Sequence, residues 1–162
     1  MNDELFMGLG DLAHVARVFL RLLIASVLGG LIGIERYREH KAAGMRTHML
    51  VALGAAMFTL VPLEDKMTPS DVSRVIQGIA TGIGFLGAGT ILKLSDEHRI
   101  TGLTTAASIW LTAAAGMAVG AGWIWPAVFG VLLAWLILAL LQRLEQWLGG
   151  TPQPPRSGEE QP

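Results

Sequence analysis

Five long stretches of this chain are nearly free of charge, and together they take up most of its length. Residues 12–34 are interrupted only by His14, Arg17, Arg21 and Ser26. Residues 47–63 are apolar once past His48, and residues 75–94 are apolar and glycine-rich. Residues 104–122 and 124–141 carry no charge at all. A bilayer core needs about 20 apolar residues per helix, within a range of about 17–25. A soluble helix keeps one polar face, and none of these stretches shows one. Only 15% of the residues are charged, against about 25% in a soluble domain. The expected fold is therefore all-α: a polytopic membrane protein with five transmembrane helices at about 12–34, 47–63, 75–94, 104–122 and 124–144.

Charge placement predicts the orientation. The connection ERYREHKAAGMR holds Arg36, Arg38, Lys41 and Arg46. Lys93 and Arg99 fall in the third connection, and Arg143 and Arg156 follow the fifth helix. Basic residues collect on the cytoplasmic side, so the C-terminus is expected inside and the N-terminus outside. The acidic Asp3, Glu4 and Asp11 give the first segment no basic leader, so it is expected to remain as a span. Trp123 and Trp125 then mark the outer interface and Trp147 the inner one. Residues 1–11 form an extracytoplasmic N-terminus, residues 12–148 the membrane domain, and residues 149–162 a proline-rich cytoplasmic tail expected to be disordered. A net charge of −1 excludes nucleic-acid binding by bulk charge, and the absence of cysteine excludes thiol chemistry.

The glycines raise the next question. Gly29 with Gly33, Gly78 with Gly82, and Gly116 with Gly120 are spaced as GxxxG, the pattern that lets membrane helices approach closely. Gly84, Gly87 and Gly89 add to the density and allow a second reading, a loosened helix whose carbonyls line an ion path. A phosphate-binding loop needs a strand, a helix and a Lys-Ser/Thr pair, and these are missing. GMRTHMLVALGAA also aligns on GLTTAASIWLTAA, and the same offset carries Leu28 and Gly29 onto Leu86 and Gly87. Either a parallel two-helix repeat or chance likeness between alanine-rich helices accounts for this.

GGLIGIERYREHKAAGMRTHMLVALGAAMF, RVIQGIATGIGFLGAGTIL and ITGLTTAASIWLTAAAGMAVGAG, in that order, resemble the hydrophobic core of the MgtC/SapB family. The likeness spans residues 20–141 and matches the short form, expected without the cytoplasmic ACT-like domain of fuller members. It carries onto Gly33, Glu35, Arg36, Gly44, Arg46 and Thr47, then Arg74, Gly82, Gly84, Gly87 and Gly89, then Gly102, Leu103, Thr104, Thr105 and Trp110. The resemblance implies a bacterial inner-membrane protein tied to growth at low magnesium. It also implies a regulator that restrains another membrane protein, the F-type ATP synthase, with magnesium as a ligand or a signal.

Among the polar residues, Glu35 stands at the end of the first helix, where the helix dipole disfavours an anion. Arg36, Arg38 or Arg46 must offset it, and Arg46 is the expected partner. Glu35, Arg36, Arg46, Thr47, Thr104 and Thr105 thus form a candidate polar site at the cytoplasmic face. Arg17, Arg21 and Arg74 are candidate intramembrane charges. Arg17 can snorkel to the headgroups, and Arg21 either does the same or meets an outer carboxylate such as Asp71. His14, His40, His48 and His98 show no ligand spacing, so no metal site and no resident cofactor are expected. No nucleophile and base stand together, so the chain is not expected to be an enzyme. Two functions remain: a regulator working through helix contacts with another membrane protein or a second copy, and a transporter or channel for an ion such as magnesium.

Overall fold

A computed structural model describes residues 12–65, 67–94, 99–141, 144 and 147. Five helices dominate: α1 (Leu12–Arg38), α2 (Met45–Glu64), α3 (Pro69–Ala88), α4 (Leu103–Gly120) and α5 (Ile124–Leu136). A π-helical turn, Ile137–Leu141, continues α5. Between α3 and α4 lies a small antiparallel hairpin, β1 (Leu92–Leu94) with β2 (Arg99–Thr101).

Among the described residues, four helical stretches are long and apolar enough to cross a membrane: Leu12–Arg38, Met45–Glu64, Leu103–Gly120 and Ile124–Leu141. The third helix departs from the sequence expectation. It starts six residues early because Thr68 caps it, its hydroxyl accepting from the Asp71 N–H, with Pro69 in the first turn. It ends early, at Ala88, and Leu92–Leu94 is strand. Its first two turns are therefore polar, with Ser70, Asp71, Ser73 and Arg74, and the apolar part is shorter than a full span.

α2 is the central helix, packed most extensively against α1 and α4. The core is built of small residues: Ala25, Ala52, Ala56, Ala115, Ala127 and Val119 are buried alongside Ile32 and Val131. Large apolar side chains face outward instead, among them Phe19, Leu50, Phe58, Phe85, Phe129 and Leu133. That inversion suits a lipid solvent, which offers no hydrophobic drive between helices and rewards close backbone packing. Glycines achieve this closeness. A Cβ on Gly29 would stand 2.5 Å from the His48 carbonyl oxygen, and one on Gly33 2.5 Å from Met45 Cα. Gly116 and Gly120 lie equally tight on the carbonyls of Ala52 and Ala56.

These contacts fix the directions. α1 runs antiparallel to α2, with Gly33 against Met45 at one end and His14 bonded to Glu64 at 3.1 Å at the other. α4 runs parallel to α2, with His48 facing Ser108 and Ala56 facing Gly120. The α1–α2 connection and the hairpin therefore share one end of the bundle. The internal likeness has a structural counterpart: Gly44 and Gly102 both cap a following helix. Gly29 against His48 and Gly87 against Ala106 are the same pair shifted by the same offset.

A buried polar cluster as candidate functional site

The end of the bundle that holds the α1 C-terminus and the N-termini of α2 and α4 is unusually polar inside. α1 closes through the Lys41 N–H to the Arg36 carbonyl at 3.1 Å and the His40 N–H to the Tyr37 carbonyl at 3.1 Å. His40 takes φ 53° to make that turn. Just before it, Glu35 and Arg36 are both buried. Neighbours in a helix do not ordinarily face each other, yet here both side chains fold inward. Arg36 Nη2 donates to Glu35 Oε1 at 2.6 Å and Nε donates to Oε2, a bidentate pair. The cation also sits favourably at a helix C-terminus and cancels the misplaced anion.

Opposite this pair, His48 is wholly buried, one turn into α2. Its Nδ1 lies 2.9 Å from the Gly44 carbonyl oxygen and its Nε2 3.1 Å from Ser108 Oγ on α4. Ser108 Oγ also donates to the Thr105 carbonyl at 2.8 Å, and Thr112 Oγ1 donates to the Ser108 carbonyl at 2.7 Å. Thr105, Ser108 and Thr112 are all buried. Among the described residues no buried side-chain nitrogen or oxygen lacks a partner. The arrangement is a satisfied polar network, which rigidifies a core where a half-satisfied one would disrupt it.

The structure thus brings Glu35, Arg36 and Thr105 into the buried end and leaves Arg46, Thr47 and Thr104 exposed. Arg46 is not the partner of Glu35; Arg36 is. Arg46 and Thr47 instead line an open cleft of about 600 Å³ with Tyr37, Gly44 and Met45. Of the remaining charges, Arg17 and Arg74 are exposed. Arg21 is half-buried and does not meet Asp71. Its guanidinium rests on the α4–α5 turn, 3.2 Å from where a Gly122 Cβ would stand, while Asp71 accepts from the Thr68 hydroxyl at 2.6 Å. The glycines divide. Gly29, Gly33, Gly116 and Gly120 are buried against α2, and Gly87 touches Ala106. Gly89 meets only the carbonyls of its own turn, and Gly78, Gly82 and Gly84 face open space. Gly78 and Gly82, with Gly54 across from them, line an apolar groove of about 580 Å³ between α2 and α3.

Sequence reasoning missed His48, Ser108 and Thr112. A signal existed: Thr105, Ser108 and Thr112 follow the i, i+3, i+7 spacing of one helix face. Among the described residues, no group of three or more His, Asp or Glu side chains is placed to hold a metal ion.

Comparison with known proteins bears on what this architecture belongs to. The profile of the MgtC family matches residues 22–147. SrpB of Synechococcus elongatus is 41% identical over 159 residues, covering 90% of this chain and 86% of that protein. The MgtC protein of Brucella abortus is 44% identical over 139 residues, 85% of this chain and 55% of its own length. YhiD of Escherichia coli K12, provisionally named a magnesium transporter, is 39% identical over 136 residues, 80% of this chain and 62% of its own length. No solved structure matches the chain. With the family profile covering residues 22–147 and these identities behind it, the chain belongs to the MgtC family.

Proposed function

We propose that this chain is a regulator in the bacterial inner membrane that acts through helix contacts with another membrane protein during adaptation to low magnesium. The observation that carries this reading is the groove between α2 and α3. Its lining is apolar, and Gly54, Gly78 and Gly82 have no atom within 4 Å of where a Cβ would stand. Small residues spaced this way accept a transmembrane helix closely. The occupant in this reading is one helix of a partner protein, and by family resemblance the F-type ATP synthase is the first to test. In this reading α3 is a short fifth crossing, the N-terminus lies outside and the C-terminus is cytoplasmic. The basic α1–α2 connection supports that orientation.

Transport of magnesium is the second reading. It draws on the provisional name of YhiD and on the buried file of His48, Ser108 and Thr112 within the bundle, since intramembrane polar residues mark ion paths in other proteins. One experiment separates the two. Purified full-length protein in liposomes should pass no magnesium into a dye-loaded lumen, while membranes yield a partner whose capture Gly78→Leu and Gly82→Leu abolish. A saturable magnesium flux through the purified protein alone would overturn the regulator reading. A cytoplasm-dependent reporter fused after Glu145 should be active; activity instead near Met67 would invert the topology.

A further inference from the structure

With a singly protonated His48 ring, the Ser108 hydroxyl proton cannot serve both His48 Nε2 and the Thr105 carbonyl. The Gly44 carbonyl only accepts, so Nδ1 must carry a proton to bond it. Ser108 has a single hydroxyl proton, and the geometry directs it at the Thr105 carbonyl, 2.8 Å away. With that proton committed, Ser108 Oγ can only accept from Nε2, 3.1 Å away, and the ring then carries two protons. If the ring carries one, the Ser108 hydroxyl must turn from the Thr105 carbonyl and donate to Nε2. The two arrangements differ by one proton and by the direction of one hydroxyl.

We propose that His48, Ser108 and the Thr105 carbonyl form a proton-binding site that joins α2 to α4, with proton occupancy deciding which way the Ser108 hydroxyl points. Uptake places one proton from water on Nε2. The new N–H donates to Ser108 Oγ, and the hydroxyl proton released from Nε2 turns to the Thr105 carbonyl. No other bond is made or broken.

The surroundings suit a single proton acting locally. The charged groups facing His48 from α1 are Glu35 and Arg36, which are paired with each other and so present little net charge. α4 contributes no titratable side chain along Leu103–Gly120. On α2 itself Arg46 is exposed to the outside of the bundle. The site also sits at a mechanical junction: the His48 carbonyl touches Gly29 of α1, while the ring holds α4. A change in the ring's bonding is therefore felt by three helices. The proposal is independent of whether the chain regulates or transports.

The test uses the full chain, labelled with ¹⁵N-histidine, in nanodiscs. Ring nitrogen shifts are followed from about pH 5 to pH 9, and His48 is assigned by loss of its signals in His48→Gln. If that variant does not fold, His14→Gln, His40→Gln and His98→Gln assign His48 by elimination. The expected result is a titration of His48 between a doubly and a singly protonated ring. Ser108→Ala should move its midpoint by about one pH unit, the scale of one hydrogen bond. The chain lacks cysteine, so spin labels on Leu50→Cys and Ala107→Cys report the α2–α4 separation, which should differ at the two ends of the titration. A ring fixed in one state across the range would overturn the proposal. So would a midpoint indifferent to Ser108→Ala, or a separation unchanged by pH.

Discussion

Replacing Glu35 with alanine tests the buried cluster most directly. Arg36 is 2% exposed and Glu35 8%, so losing the carboxylate strands a guanidinium where water does not reach. Removing one member of a desolvated pair costs about 3–5 kcal/mol, whereas an exposed pair is worth about 1 kcal/mol or less. In a chain of this length each kcal/mol moves the unfolding midpoint by about 2–4 °C. Glu35→Ala and Arg36→Ala should each lower it by about 6–20 °C. The double change Glu35→Gln with Arg36→Met discards both charges and should recover most of the loss. Arg46→Ala, on an exposed side chain, should stay within about 0.5 kcal/mol. Thermal unfolding in a single detergent, read through the tryptophan fluorescence of the purified full chain, measures all four. If Glu35→Ala unfolds within about 2 °C of the wild type, or Arg46→Ala costs as much as Arg36→Ala, the pairing argued above is wrong.

Other outcomes follow from the same structure. Gly102 holds φ 91°, and a Cβ there would overlap the Thr90 carbonyl; Gly102→Ala should cost at least about 1–2 kcal/mol, the cost of left-handed backbone, and be visible in the same melts. Gly29→Ala must push against the His48 carbonyl at 2.5 Å and Ala52 Cβ at 2.9 Å, so a loss of about 1–3 kcal/mol is expected. Gly78→Ala meets nothing within 4 Å and should gain up to about 1 kcal/mol through helix propensity. Equal losses at Gly29 and Gly78 would sink the distinction between packed and open glycines. His40→Gly removes the strain of φ 53° and should raise the unfolding midpoint by the equivalent of about 1 kcal/mol.

Part of this protein could be read from its sequence because the relevant physics is local. Partition into a bilayer depends on composition over about 20 residues, and the charge-poor runs around α1, α2, α4 and α5 state it without reference to any neighbour. The α1–α2 connection was legible for the same reason: a dense run of basic residues needs no partner to be recognised. Local signals also explain where the reading slipped. The Thr68-Pro69 start of α3 is a capping sequence that hydropathy does not register, and the pairing of Leu92–Leu94 with Arg99–Thr101 is a contact between segments.

What only the tertiary structure decided is which side chains meet. Gly29, Gly78 and Gly116 carry the same motif, yet two lie on α2 backbone and one faces a groove, because packing is a property of the neighbour. Glu35 had three arginines within reach along the chain, and burial selected the adjacent Arg36. His48 looked like one of four scattered histidines until α4, sixty residues later in the chain, set Ser108 against its ring. A hydrogen bond between two helices depends on their separation and rotation, and no stretch of sequence contains either.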